Sequence, residues 1–278
     1  MPAAPSPRTG PHDSTPTVAS ASRVYDFFLG GPDNYAVDQV AASFILRAFP
    51  WTGVLAKSNR HFMQRAVRYM TGEGIDQFLD LGSGLPTMGN VHEIAQTDNP
   101  KARVVYVDYE RYAADKGRQI LADNQYATEI FADFMNPDSI LNNEEVRDLL
   151  DFSKPIGLLM ASMLHFVGHE TGPYRIVEKF KQPLASGSIF ALSHGSWDGM
   201  TENVRLKMSN LQQAYNLNVA ENTFTRSVSE IMTFYYRWNL IDPGLVLMPD
   251  WHPDEPGYEP DPTDEARMVM YAGAARKP

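Results

Sequence analysis

Apolar residues change their period near residue 75, and with it the kind of element the chain predicts. Upstream, Leu55, Phe62, Ala66 and Tyr69 recur at helical spacing, and the stretches 37–48 and 55–69 read as helices, the second ended by Gly72 and Gly74. Downstream, short apolar runs take over: QFLDL at 77–81, RVVYVD at 103–108, TEIFAD at 128–133, IGLLMAS at 156–162, GSIFALSH at 187–194, LVLM at 245–248 and RMVMYAG at 267–273. Runs this short and this continuously apolar suit strands covered on both faces. Helical patterns at 88–96, 112–123, 144–151 and 173–181 separate the first five runs. This alternation predicts an α/β domain with a Rossmann-like, doubly wound sheet of seven strands, mostly parallel, and additional N-terminal helices. An acidic, proline-rich loop at 249–264 joins the last two runs. That suits a hairpin with an enlarged loop, so the last strand is expected to be antiparallel.

Two segments extend this frame. Residues 201–217 form an amphipathic pattern with Val204, Met208, Leu211 and Tyr215 on one stripe. Ser227 with Glu230 three residues on predicts a capping box for the following helix. Residues 1–20 are rich in Pro, Ala, Ser and Thr and hold scarcely any large apolar side chain, so burial cannot offset their ordering entropy and a mobile tail is expected. The remainder, 21–278, is expected to be a single domain.

The chemistry begins at FLDLGSG, residues 78–84, where an apolar strand runs into a Gly-X-Gly turn and then a helical pattern. Glycines there allow positive φ and close approach of a ligand, and the helix start beyond presents free N–H groups to an anion. Asp108 ends the second run, where an acidic side chain accepts both hydroxyls of a ribose in nucleotide-binding sheets. Asp133 ends the third, placed to accept from an adenine amine with Phe134 beside the ring face. Each of these aspartates also has a plainer reading as a helix N-cap. A nicotinamide or flavin dinucleotide would need G-x-G-x-x-G, but the run GSGLPTMG places Thr87 where the third glycine belongs; this weakens that alternative and leaves it open.

Composition narrows the chemistry further. The chain has no cysteine, which removes disulfides, thiolate metal sites and a cysteine nucleophile. Its formal net charge of −10 repels phosphate backbones at long range, so nucleic acid is not an expected partner. No apolar run is long enough to span a bilayer and no signal-peptide pattern stands at the N-terminus, so a cytoplasmic protein without membrane contact is expected.

The order FLDLGSG, YVDYE and FADF resembles class I S-adenosylmethionine-dependent methyltransferases. The set RVYDFFLGGPDNYAVD, FLDLGSGLPT, VVYVDYE and LLMASMLHFV resembles more closely an actinobacterial family of S-adenosyl methyltransferases with no settled substrate, from about Ser22 to the C-terminus. The resemblance implies S-adenosylmethionine as cofactor. Gly82, Ser83 and Gly84 would line its methionine part, with Asp80 accepting from the ammonium. Asp108, with Tyr109 next to it, would serve the ribose, and Asp133 with Phe134 the adenine. Ser162, Met163 and the following residues to His165 would border cofactor and acceptor. Arg23, Tyr25, Asp26 and Asn34 would belong to a helical lid over about 21–72; the plainer reading is a helix on the sheet edge with Arg23 and Asp26 as a surface pair.

Transfer from a sulfonium asks mainly for alignment and water exclusion, and a hydroxyl acceptor also needs a general base. His165 is the first candidate base and His194 the second, each with a structural, hydrogen-bonded alternative. His165, His169 and Glu170 straddle Gly168, so no metal site is expected there. An Asn/Asp-Pro-Pro-aromatic run typical of DNA amine methylation is replaced by ASMLHF. The expected acceptor is therefore a small molecule, methylated at oxygen or nitrogen. A non-catalytic S-adenosylmethionine-binding protein stays as an alternative, and the oligomeric state stays open.

Overall fold

Five strands run parallel in the order that places the first at the centre. They are β1 (Gln77–Leu81), β2 (Arg103–Asp108), β3 (Ala127–Phe131), β4 (Gly157–Ala161) and β5 (Ile189–Gly195). Two short strands, β6 (Asn239–Leu240) and β7 (Val246–Leu247), and the final β8 (Met270–Arg276) are antiparallel additions, with β8 against β5. The sheet order is β3-β2-β1-β4-β5-β8-β6, with β7 also on β8. In this computed structural model the described residues are 16–86, 89–254, 257–259, 261 and 264–278. The sheet has eight strands rather than the expected seven, because the exposed pair Asn239 and Leu240 carries no apolar run to announce it. The antiparallel last strand is present.

Helices α1 (Ala21–Leu29), α2 (Ala36–Ala48) and α3 (Thr52–Gly72) precede the sheet. Then α4 (Val91–Asp98), α5 (Arg111–Ile120), α6 (Pro137–Leu141), α7 (Glu144–Leu149) and α8 (Pro173–Lys181) alternate with strands, and α9 (Glu202–Asn218) and α10 (Val228–Thr233) follow β5. Met88, where the helix after β1 is expected to start, and Thr87, where a third glycine would stand, lie outside the described residues. The strands sort alternate side chains to two faces. Phe78, Val104 and Leu159 pack with Phe62, Met70 and Ala95 of α3 and α4. Leu79, Val105 and Leu158 face the other way, onto Val146, Val177 and Ile231 of α7, α8 and α10. Each such fully buried side chain is worth about 1.5–3 kcal/mol over exposure, which fixes the sheet ends that carry the polar residues.

A third cluster joins α1, α2 and α9 through Val24, Phe28, Ala42, Ile45 and Val219. Of the stripe on α9, Val204 and Met208 are buried, whereas Leu211 and Tyr215 are partly buried against this cluster. The capping box of Ser227 and Glu230 is formed. Residues 1–15 of the expected tail lie outside the described residues, but its last part belongs to the folded body. Ala19 is buried and bridges Val219, and the Ser20 side chain caps α1 by accepting from the Arg23 N–H at 3.4 Å. No helix among the described residues is long and apolar enough to cross a membrane.

Candidate functional site

The turn after β1 is held from below and open above. The N–H groups of Gly82 and Ser83 both donate to the Val107 carbonyl of β2, at 2.8 and 3.2 Å. Gly82 has φ +72, and a Cβ there would stand 2.9 Å from the Cβ of Met163. Gly84 has φ +65, and a Cβ there would meet nothing within 4 Å. The loop thus needs glycine at Gly82 for packing and at both positions for conformation. Asp108, at the end of β2, ties the turn down further. One carboxylate oxygen accepts from the Gly84 N–H at 2.8 Å and the other from the Glu110 N–H at 2.8 Å.

Above this turn lies a cavity of about 280 Å³. It opens at the carboxyl ends of β1, β2 and β4, the point where the strand order reverses and where such sheets bind ligands. One wall is polar: Asp80, Gly82, Ser83, Gly84, Asp108, Tyr109 and Glu110. The opposite wall is apolar, from Phe28 of α1, Leu55 and Met63 of α3, and Met208, Leu211 and Tyr215 of α9. Phe134 joins from beyond β3, and Ser162, Met163, His165 and Phe166 from beyond β4. Ser162 itself has φ 53, and its N–H donates to Ser193 Oγ at 2.8 Å.

The cavity is rich in carboxylates. Burial, with the nearby Asp108 adding and Arg60 opposing, raises the Asp80 carboxyl to about 7. Burial also raises Glu110 to about 7, against the pull of Arg23. Asp108 is raised by burial, against the two N–H groups it accepts from. Behind the turn, buried Glu129 accepts from Ser83 Oγ at 3.0 Å, and burial holds its carboxyl well above the usual range.

The N-terminal motif divides into a lining residue and fasteners. Tyr25 lines the cavity; its hydroxyl donates to the Ala56 carbonyl at 2.9 Å and accepts from Asn59 Nδ2 at 3.0 Å. Arg23 does not line it and makes no exposed pair with Asp26. It is 6% exposed and donates to Asp38 at 2.9 Å and to Glu110, binding α1 to α2 and to the segment after β2. Asp26 accepts from the Asp33 N–H at 2.8 Å and from Asn34 Nδ2 at 3.0 Å, which shapes the turn between α1 and α2. Asp133 is also outside the cavity wall. β3 ends two residues before it, and its exposed carboxylate accepts from the Met135 N–H at 2.9 Å.

The two histidines have different surroundings. His165 faces the cavity, and burial with the nearby Arg226 lowers its imidazole to about 4. His194 is fully buried: Arg226 donates to Nε2 at 2.7 Å, so Nδ1 carries the proton donated to the Gly195 carbonyl at 2.7 Å. Both its nitrogens are committed, which makes His194 structural. His169 lies on the surface with Nδ1 3.7 Å from Glu230, away from His165.

Several residues of the site carry no sequence motif. Asn59 and Arg60 of α3 line the cavity, as does Glu221 after α9, whose carboxylate accepts from the Ala21 N–H at 2.9 Å and bonds the Tyr109 hydroxyl. One signal was present: Asn59 falls four residues after Leu55 and four before Met63, a polar residue on the apolar stripe of α3.

A family model described as S-adenosyl methyltransferase matches residues 9–278. A candidate methyltransferase from Thermobifida fusca YX is 35% identical, with 94% of this chain and 95% of that chain covered and a TM-score of 0.87. A DUF574 family protein from Streptomyces avermitilis MA-4680 is 34% identical, with 94% and 98% covered and a TM-score of 0.86. No curated protein matches the chain.

Proposed function

The chain belongs to the S-adenosyl methyltransferase family, with S-adenosylmethionine as cofactor, and from that premise we propose that it methylates an oxygen or nitrogen of a small, largely apolar acceptor. The observation that carries this reading is the two-walled cavity, in which the carboxylate-rich sheet end meets a largely apolar helical wall and which His165 also lines. The cavity fits the cofactor. The face of Gly84 is open to a ligand, and Asp80, Asp108, Glu110 and Glu221 favour a ligand of net positive charge. In this reading Gly82, Ser83 and Gly84 hold the amino-acid end, Asp108 and Tyr109 the ribose, and Phe134 the adenine face, with Ser162 and Met163 beneath.

When bound, the cofactor supplies a methyl group already activated on sulfonium. The chain's own contribution is position and dryness. Phe28, Leu55, Met63 and Met208 exclude water from the acceptor side. His165, lowered to about 4, is unprotonated at neutral pH. It is a weak base placed to accept the proton that an acceptor hydroxyl sheds as its oxygen bonds the methyl carbon and the sulfur–methyl bond breaks, whereas an amine acceptor would enter already neutral. Among the described lining residues Arg60 is the sole lysine or arginine, against the carboxylates Asp80, Asp108, Glu110 and Glu221, so a neutral or amine-bearing ring compound suits the cavity better than an anion.

Calorimetric titration with S-adenosylmethionine and S-adenosylhomocysteine, with NAD and NADP as controls, tests the cofactor side. Tritium transfer from methyl-labelled S-adenosylmethionine to two-ring phenols, amines and carboxylates tests the acceptor side. Label in phenols or amines, lost in His165→Ala for the phenols, is the expected result. Dinucleotide binding, or label confined to the carboxylates, overturns the reading.

A further inference from the structure

Arg60 makes no hydrogen bond or ion pair to a carboxylate among the described residues. It lies on α3 and borders both the main cavity and a recess behind the glycine turn, a recess it shares with Asp80, Ser83, Gly84 and Asn90. Its buried Nε has no acceptor among the described residues. Such a group is expensive unless something else completes it. Among the described cavity-lining residues Arg60 is the sole lysine or arginine, facing four carboxylates, Asp80, Asp108, Glu110 and Glu221. Asp80 feels its field without answering its hydrogen-bonding capacity. The guanidinium is nevertheless held in place, 5.8 Å above the ring of Tyr25. That ring is itself fixed by Asn59 and the Ala56 carbonyl.

A fixed guanidinium and a buried carboxylate beside one glycine turn make the complement of a zwitterion. We infer that Arg60 receives the carboxylate of the cofactor's amino-acid end while Asp80 receives its ammonium, an inference that rests on the cofactor placement proposed above. The planar fork of arginine matches a carboxylate's two oxygens, which a lysine in its place would meet as a point charge. The partner of Arg60 is thus brought by the ligand, and the turn at 82–84 need not supply every contact to the amino acid.

The test separates the two ends of the ligand. S-adenosylhomocysteine carries the amino-acid end; 5′-methylthioadenosine carries the same nucleoside and thioether without it. In calorimetric titrations of the full chain, Arg60→Gln should weaken S-adenosylhomocysteine about tenfold or more while 5′-methylthioadenosine stays within about twofold, and Arg60→Lys should fall between for the first ligand. A thermal melt unchanged by Arg60→Lys guards against misfolding as the cause. S-adenosylhomocysteine unaffected by Arg60→Gln, or both ligands weakened in parallel, would overturn the inference. Wild-type protein that binds neither ligand overturns the cofactor placement itself, a result the variants cannot produce.

Discussion

The wall of the cavity built by β1 and β2 is fixed by backbone, whereas the wall built by α1, α3 and α9 is fixed by side chains. In the first, two N–H groups converge on the Val107 carbonyl and Asp108 pins Gly84, so the ligand-facing surface is set by strand pairing. In the second, contacts such as Val24 and Phe28 against Ala42 and Ile45 hold helices that touch the sheet through apolar surface. The difference teaches where tolerance lies. A rigid, polar wall suits one invariant ligand, and a packed, apolar wall accepts changes of shape at a cost in stability alone.

Breaking the first wall should have the largest effect. Gly82→Val forces a branched side chain into positive φ and against Met163. It should cost about 2–6 kcal/mol of stability and abolish measurable S-adenosylhomocysteine binding; a melt and a titration on the same sample check both. Asp80→Asn tests the electrostatics. A carboxyl raised to about 7 means that the folded protein keeps a proton which the unfolded chain has released. Stability from this group is therefore present at low pH and lost as pH rises through about 7. Denaturant unfolding should show the ligand-free variant more stable than wild type by about 2–4 kcal/mol near pH 8, with the gap closing toward about pH 4. Cofactor affinity should fall at the same time.

Asp108→Ala should weaken cofactor binding by about 1.5–3 kcal/mol, the scale of charge-assisted hydrogen bonds lost; unchanged affinity in a folded variant sinks the ribose assignment. The second wall should answer differently. Met208→Ala is expected to cost about 2 kcal/mol in a melt, the low end for a buried methionine because it borders a cavity, while S-adenosylhomocysteine affinity holds within about twofold. Asp133→Ala should be mildest, with about 0.5–1 kcal/mol lost from its turn bond and no change in affinity. A tenfold loss of affinity there would return the adenine contact to Asp133.

The same contrast explains what the sequence shows. β1 to β5 are legible because each is an apolar run ending at a turn, and Gly82, Gly84 and Asp108 are legible because strand ends concentrate polar function. β6 is not, since two exposed residues have no period. Asp133 is misplaced because β3 stops at Phe131, a boundary that composition does not mark. Arg23 is expected in a lid over the cofactor, or else in a surface pair with Asp26, and neither reading finds its fastening role because its partners, Asp38 and Glu110, are 15 and 87 residues away. Arg60 and Glu221 escape for the same reason: their roles arise from the meeting of α3 and the segment after α9 with the sheet end, which no local spacing encodes.

The fastening of α1 bears on time as well as on place. Glu110 takes hydrogen bonds from Ser20, Ser22 and Arg23, and Glu221 joins Ala21 to Tyr109, all at one rim of the cavity. Lifting α1 from that rim would break these bonds together, so the rim is built to open as one unit. A ligand that left past that rim would then dissociate at a rate set by the latch as well as by the grip of the pocket, and loosening the latch, as in Glu221→Gln, should shorten its residence time in a stopped-flow release measurement.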